Sequence, residues 1–481
     1  MVKKSPKNSR RKARSQVGKA ENDPLLGTWK KVLARKSDKA AVLDSRGRRL
    51  LRFREIEEWS RHYASEPAGL TSFQAGEIVA FQIGNHPHWP ALFLACLRRG
   101  IAVLPIERTV SESERASALR TCGATGLITE PQKLIARFKK SPPNDWQGRP
   151  PVLLKLTSGT TAAARAVRFR SAQLVADAEH ICDTMGISDD DLNFGVIPLS
   201  HSYGFSNLIT PLLIRGVPMV VSSDRMPRAV LDDLAWTGAT VFPGMPLFYQ
   251  AFVEMPDVPA LPKLRLCISA GAPLKRVVAR AFHQRFGQPI HSFYGASECG
   301  GICYDRHALN EEEGFVGQPM GGVQLRPISL TKSSSQVRIR SAAVGDGYFP
   351  EPDGAKLGNG VFVPDDLLAI NREGVRIVGR VSDVINVAGK KVNPAEVEAH
   401  LLSHQAVRQA VVFGRSSPLR NQEVVACVVA SRGTEEADLL DFCRTLLSGW
   451  QVPKRIYLLE ALPANERGKI SRRELAQQFA T

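Results

Sequence analysis

Residues 264–287 read LRLCISAGAPLKRVVARAFHQRFG, and two periodicities meet in them. LRLCISA (264–270) is a short apolar run, the pattern of a strand buried on both faces. PLKRVVARAFHQRFG (273–287) follows with helical spacing. Pro273 suits a first turn, Val277, Val278, Ala281 and Phe282 fall on one face, and Gly287 can end the helix. A buried strand leading into an amphipathic helix is the building block of a parallel α/β sheet.

The same alternation extends outward in both directions. EIVAFQI (77–83), AVLPI (102–106), GLIT (126–129), FGVIPL (194–199), VPMVVS (217–222) and ATVF (239–242) are further buried-strand candidates with helical stretches between them. From about residue 305 to 380 the pattern changes. QVRIRS, GVFVP, LLAINR and VRIVGR are short, alternating and separated by Gly, Pro, Asp or Asn, which predicts antiparallel β structure. Beyond Arg380 a helix is expected from Asn393, with Pro394 at its first position and Asn393 and Glu396 spaced as a capping box. Strands near 410–413 and 423–430 and a helix near 435–448 follow. The expected fold is α/β. A large N-terminal part of doubly wound α/β subdomains plus a small β-barrel spans 23–380, and a smaller, mobile α+β lobe spans 381–481. Residues 1–22 form a basic tail.

Composition narrows the classes. The chain has 481 residues, 43% of them hydrophobic and 23% charged, ordinary values for a globular protein of two to four domains. No stretch approaches the ~18–20 apolar residues that span a bilayer. The eight cysteines show no CxxC and no zinc spacing, which reads as reduced thiols and a cytoplasmic location. Net charge is +17, and eight basic residues lie within residues 1–19 with no acid among them. Such a segment is expected to stay disordered. It has the charge to contact an anionic surface, or to remain a solvated tail without a partner; no specific nucleic acid is expected. It lacks the apolar core of a secretory signal and the apolar helical face of a transit peptide.

Residues 154–168, LKLTSGTTAAARAVR, pose the chemical question. Thr157, Ser158, Gly159, Thr160 and Thr161 offer hydroxyls and backbone N–H groups that could converge on a phosphate. Taken alone, they also fit a strand-to-helix turn with a cap. No Gly-Lys-Ser/Thr closes the loop, so it is not a Walker A loop. A nucleophile elbow, G-x-S-x-G, nearly fits 295–299, but Cys299 stands at the last glycine.

Four more segments follow in fixed order: PLSHSYG (198–204); SAGAPL (269–274) with YGASE (294–298); GVFVPDDLLAINREGVRIVGRVSDVINVAGKKVNPAEVE (360–398); and LPANERGKISR (462–472). With TSGTT, the set resembles the adenylate-forming (AMP-binding) superfamily, in its acyl- and aryl-CoA synthetase version. The resemblance covers nearly the whole chain beyond the tail. It implies a ligase that joins a carboxylic acid to ATP as an acyl-adenylate, releases pyrophosphate and passes the acyl group to a thiol. The implied cofactors are ATP, Mg²⁺ and CoA, or the phosphopantetheine of a carrier protein.

The implied roles can be set beside each residue's chemistry. Glu298 is the metal candidate, since Mg²⁺ favours a carboxylate together with phosphate oxygens; Ser297 and Gly295 lie on the phosphate side. Tyr294 is expected against adenine beside Gly271, Ala272 and Pro273, or else is a core tyrosine. Asp366 matches the ribose-binding aspartate, although Pro364-Asp365 replaces the usual Thr-Gly, and Arg380 matches the arginine on ribose or phosphate. Lys469 matches the lysine between substrate carboxylate and α-phosphate. It is a compact cation that can follow moving charge, on a lobe expected to close and then rotate. Gly389 marks the thiol channel, where a side chain would obstruct the pantetheine arm. Ser382, where Asp or Lys is usual, stands at the hinge, with Asp383 next. Ala162 and Ala166 replace loop glycines, so any positive φ there would be strained, and Arg165 takes the lysine position.

His201 is expected at the carboxylate end of the acyl pocket, or else is a structural histidine. Tyr203, Phe205, Phe242, Met245 and Phe248 are wall candidates. Residues 198–210 contain no acid, so an α-amino acid, whose ammonium would need a carboxylate, is not expected. CoA and a carrier protein present the same thiol and both are anionic, so the basic excess suits either. Two further readings share the fold: a homologue that binds without catalysing, and a luciferase-type oxygenase.

Overall fold

A computed structural model describes residues 22–65, 70–131, 136–138, 144, 146–157, 165–222, 224–308, 312–330, 335–387, 390–417, 421–463, 470 and 472–479. Ser158, Gly159, Thr160, Thr161, Gly389, Lys469 and most of the basic tail lie outside the described residues, and for Ser382 only the backbone is described. The chain divides into two compact units. One comprises residues 1–326, 338–363 and 371–375; the other comprises 327–337, 364–370 and 376–481.

In the first unit each of the seven apolar runs contributes to a strand, although of FGVIPL only Phe194 and Gly195 do so: Ile78–Phe81, Ala102–Pro105, Gly126–Ile128, Asn193–Gly195, Met219–Val221, Val241–Gly244 and Leu266–Ser269. They divide between two sheets. In one, Ile78–Phe81 pairs in parallel with Ala102–Pro105 and with Gly126–Ile128. In the other, Ile290–Ala296, Leu266–Ser269, Val241–Gly244, Asn193–Gly195, Met219–Val221 and Ala40–Leu43 run parallel in that spatial order. Every residue of Ile78–Phe81, Ala102–Pro105, Val241–Gly244 and Leu266–Ser269 is buried. Helices cover both faces of such a strand, so it has no solvent side to mark by alternation.

The helix after Leu266–Ser269 differs from expectation. It spans Arg276–Phe286, with Pro273 in the exposed loop before it, and Gly287 ends it. Phe282 sets its buried stripe by packing edge-on against Tyr249, ring centroids 5.2 Å apart, and stacking on Phe286 at 4.5 Å. Val278 and Ala279 join that stripe, while Val277 is 71% exposed.

The second unit contains a sheet of Lys390–Val392, Ile385–Val387, Asn421–Ala430, Val407–Ser417 and Arg455–Leu458. Pro394–Leu402 and Glu436–Leu446 supply Val397, Leu401, Leu439 and Cys443 to the core on one face. Leu475, from Arg472–Gln478, packs with Val411, Phe413, Val425 and Cys427 on the other. Asn393 caps the first of these helices by accepting from Ala395 N at 3.2 Å. The antiparallel pairing expected between 305 and 380 is present within each unit: Ile339 and Arg340 pair with Phe362 and Val361, and Ser335 and Gln336 with Leu368 and Leu367. All eight cysteines are buried free thiols. No helix among the described residues is long and apolar enough to cross a membrane.

Candidate active site

The phosphate-loop candidate sits in a β-hairpin. Leu153–Thr157 and Arg165–Phe169 pair antiparallel, with Thr157 opposite Arg165, so the alternative of a strand-to-helix turn falls away. Thr157 Oγ1 donates to Arg165 O at 3.2 Å and closes the hairpin base. Ala166 is a buried strand residue opposite Leu156 and Phe349, without positive φ. Its missing glycine therefore brings no backbone strain.

PLSHSYG follows the strand Asn193–Gly195, at the C-terminal edge of the parallel strands, where α/β sheets bind ligands. Asn85 pins its entry. Its Nδ2 donates to Gly195 O, Ile197 O and Ser222 O at 3.1–3.2 Å, and its Oδ1 accepts from Leu199 N at 2.9 Å. Gly204 is required by contact, because a Cβ there would lie 2.1 Å from Pro198 O. His201 is exposed and caps the short helix Ser202–Gly204. Its Nδ1 accepts from Tyr203 N at 3.2 Å, which places the ring proton on Nε2.

Ser202 Oγ donates to Ser297 Oγ at 2.8 Å. This bond brings together segments 95 residues apart. Ser297 lies between the antiparallel strands Ile290–Ala296 and Gly300–Tyr304, not on the strand-to-helix turn that exposes an elbow nucleophile. That geometry removes the nucleophile-elbow reading of residues 295–299. Tyr294 is buried in the first of these strands, whereas Gly271, Ala272 and Pro273 form an exposed loop after Leu266–Ser269.

Glu298 is fixed by groups absent from the sequence reading. Gly345 N donates to its carbonyl at 2.9 Å, and Tyr348 Oη donates to its Oε1 at 3.1 Å. Tyr348 lies on Gly347–Phe349, which pairs with the hairpin strand Arg165–Phe169. The Arg165 guanidinium stacks over the Tyr348 ring, 4.0 Å from its centre, and sits 3.9 Å from Asp353. Burial, with Glu298 beside it, pushes the Tyr348 hydroxyl pKa up, so Tyr348 acts as a donor at neutral pH. Arg165, Tyr348 and Glu298 thus form a continuous contact path from hairpin to carboxylate. Only the pairing of distant strands creates it.

Glu298 fits a Mg²⁺ role. Among the described residues no group of three or more His, Cys, Asp or Glu converges as a metal cage. A single carboxylate is what Mg²⁺ needs when ATP supplies the other oxygens.

Arg165→Ala is expected to weaken MgATP use by about tenfold while leaving acid preference unchanged, because it removes a cation at the hairpin and the stack that steadies Tyr348. Apparent KM values for ATP and for a panel of acids check this. Altered acid preference with normal ATP use contradicts it.

The wall candidates are largely packed into the core. Tyr203 donates to Gly244 O at 3.3 Å and Ile268 O at 3.4 Å. Phe205 meets Trp89 and Phe93 edge-on. Phe242 and Phe248 pack with Phe252, while Met245 is half-buried before Pro246–Glu254.

In the second unit Asp366 and Arg380 are brought together: Arg380 Nε donates to Asp366 Oδ1 at 3.1 Å. Asp383, next to Ser382, pairs with Arg472 Nη1 at 2.7 Å. Arg472 also holds both Glu398 oxygens, at 2.8 and 2.9 Å.

Comparison with known proteins shows the family and the fold. The AMP-binding enzyme family model matches residues 29–147 and 131–329, and the AMP-binding enzyme C-terminal domain matches 396–469. A probable CoA ligase of Humulus lupulus is 27% identical over 514 aligned residues, covering 96% of this chain and 97% of that protein. Oxalate–CoA ligase of Arabidopsis thaliana is 26% identical, covering 95% and 99%. ATP-bound MatB from Rhodopseudomonas palustris shares the fold, with a TM-score of 0.79 at 22% identity, covering 94% and 98%. The chain belongs to the AMP-binding enzyme family, the adenylate-forming superfamily that its motifs resemble.

Proposed function

We propose that this protein is an acid–thiol ligase that activates a carboxylic acid with ATP and transfers the acyl group to CoA. The observation that carries the reading is the junction of SHSYG with the Glu298 turn through Ser202 and Ser297, with Glu298 held by Tyr348 beside the phosphate hairpin. The Humulus and Arabidopsis relatives, matched over nearly their whole length, are CoA ligases by name, which supports the same reaction class.

A carboxylate is a poor acyl donor because oxide leaves badly. In the first step a carboxylate oxygen bonds to the α-phosphorus of ATP and the bond to the bridging pyrophosphate oxygen breaks, giving acyl-adenylate and pyrophosphate. In the second the thiol sulfur bonds to the acyl carbon, its proton is lost and AMP leaves. The protein's part is to position the groups and offset charge. Thr157, Ser158, Gly159, Thr160, Thr161 and Arg165 serve the phosphates, and Asp366 and Arg380 the ribose. Mg²⁺, held by Glu298, would offset phosphate charge. His201 serves the acid and Lys469 the α-phosphoryl group. Gly389 leaves room for the thiol arm.

Carboxylate-dependent ATP–pyrophosphate exchange across a panel of acids tests the first step. Exchange with at least one acid is expected, with α-amino acids inactive; no exchange with any acid overturns the reading. Product analysis with CoA, and separately with a phosphopantetheinylated carrier protein, then decides the acceptor.

A further inference from the structure

Lys155 places an amine where water does not reach. It is 4% exposed and stands two positions before Thr157 on the hairpin strand Leu153–Thr157. Its Nζ donates to Ser206 Oγ at 3.2 Å and lies 4.7 Å from the Phe169 ring centre and 5.5 Å from that of Phe205. Burial pushes its pKa down, while Asp177, Cys299 and Glu298 act in the opposite direction.

The contacts continue in one direction. Ser206 Oγ donates to Asp177 Oδ2 at 2.6 Å, and Asp177 Oδ1 accepts from Gly301 N at 3.0 Å. Asp177 is itself 3% exposed. The relay ends on the turn that carries Glu298. Gly300 has φ +68°, and a Cβ there would lie 1.9 Å from Asp177 Oδ1, so glycine is what lets the carboxylate reach this main chain.

Core packing does not require such a relay. Apolar groups of similar volume fill a buried site at no greater cost than paired charges. What the relay does is join three segments: the hairpin strand, the helical stretch after SHSYG, and the Glu298 turn. We infer that Lys155 is a positioning residue for nucleotide binding, fixing the Ser297–Gly301 turn through Ser206 and Asp177. The inference rests on the ATP-dependent reading above. Without the Lys155 side chain, buried Asp177 is held by one hydroxyl and one amide, in the same neighbourhood as Glu298. Its drift or rotation then releases Gly301 and with it the turn.

The test is direct MgATP binding by calorimetric titration of the full chain, for wild type, Lys155→Met, Asp177→Asn and the double variant. Thermal unfolding and apparent KM values are measured alongside. Lys155→Met and Asp177→Asn are each expected to weaken MgATP binding about tenfold, with the KM for the acid changed by less than about twofold. The double variant is expected to be no weaker than the worse single variant, because both residues act on one turn. It removes both ionisable groups with little change of volume, so it keeps the test available if Lys155→Met fails to fold. Wild-type MgATP affinity in Lys155→Met, or losses that multiply in the double variant, overturns the inference. Wild-type protein that binds MgATP but exchanges no acid refutes the adenylation reading and leaves Lys155 to be judged on binding alone. No MgATP binding by the wild type refutes both.

Discussion

Lys469→Ala is expected to lower carboxylate-dependent ATP–pyrophosphate exchange by about two to three orders of magnitude, the cost of removing one preorganised contact to charge that develops in the transition state. As the carboxylate attacks, negative charge shifts across the α-phosphoryl group, and a lysine ammonium can follow it without a fixed geometry. The described residues on either side of Lys469 have anchoring contacts of their own. Leu462 and Ile470 pack against the cluster of Val411, Phe413 and Val425. Three residues on, Arg472 Nε donates to Val412 O at 3.0 Å, and its guanidinium holds Glu398 and Asp383. Alanine leaves all of these in place, so the unfolding temperature should stay near wild type. MgATP affinity, measured by titration, should fall by no more than about tenfold, since the contact matters most when charge moves. Exchange at wild-type rates in Lys469→Ala would rule out the role assigned to this lysine. A parallel collapse of MgATP binding would instead mark it as a ground-state ligand of ATP.

The strands were legible because burial on both faces leaves runs such as LRLCISA without alternation, and length and glycine flanks mark them out. The next helix was legible in its end at Gly287 but not in its start or its rotation. Val277 and Phe282 are both apolar, and only the Tyr249 ring, supplied by another helix, decides which one turns inward. Asp366 and Arg380 lie in motifs, and their pairing confirms that the two positions are neighbours. Asn85, Tyr348 and Lys155 carry no local signal. Their contacts cited above join segments 50 to 114 residues apart, which no local pattern encodes. The alanines of the phosphate loop misled in one respect: at residue 166 a glycine is dispensable, because the position is an ordinary strand residue opposite Leu156.

Glu298→Gln is the second large effect expected, a loss of about 100-fold in exchange at fixed Mg²⁺ and ATP. The substitution separates charge from shape. Glutamine has the same length, and its amide oxygen can still accept from Tyr348 Oη, as Oε1 does at 3.1 Å. The main-chain bond from Gly345 N and the Ser202–Ser297 bond are untouched. The turn should therefore keep its place and the protein its unfolding temperature, while the negative charge that a hard cation requires is gone. Raising Mg²⁺ should recover part of the rate, with the half-saturating concentration moved up by about tenfold or more. Tyr348→Phe offers the complementary case. It keeps the carboxylate and removes one charge-assisted hydrogen bond, so its loss should be smaller, about tenfold, with a weaker shift in Mg²⁺ dependence. The order of the two variants is the decisive result. If Tyr348→Phe is as damaging as Glu298→Gln, the hydrogen bond and not the charge is what matters. If Glu298→Gln keeps the wild-type Mg²⁺ dependence, Glu298 is not the metal's carboxylate, and the Arg165–Tyr348–Glu298 path serves only to brace the hairpin.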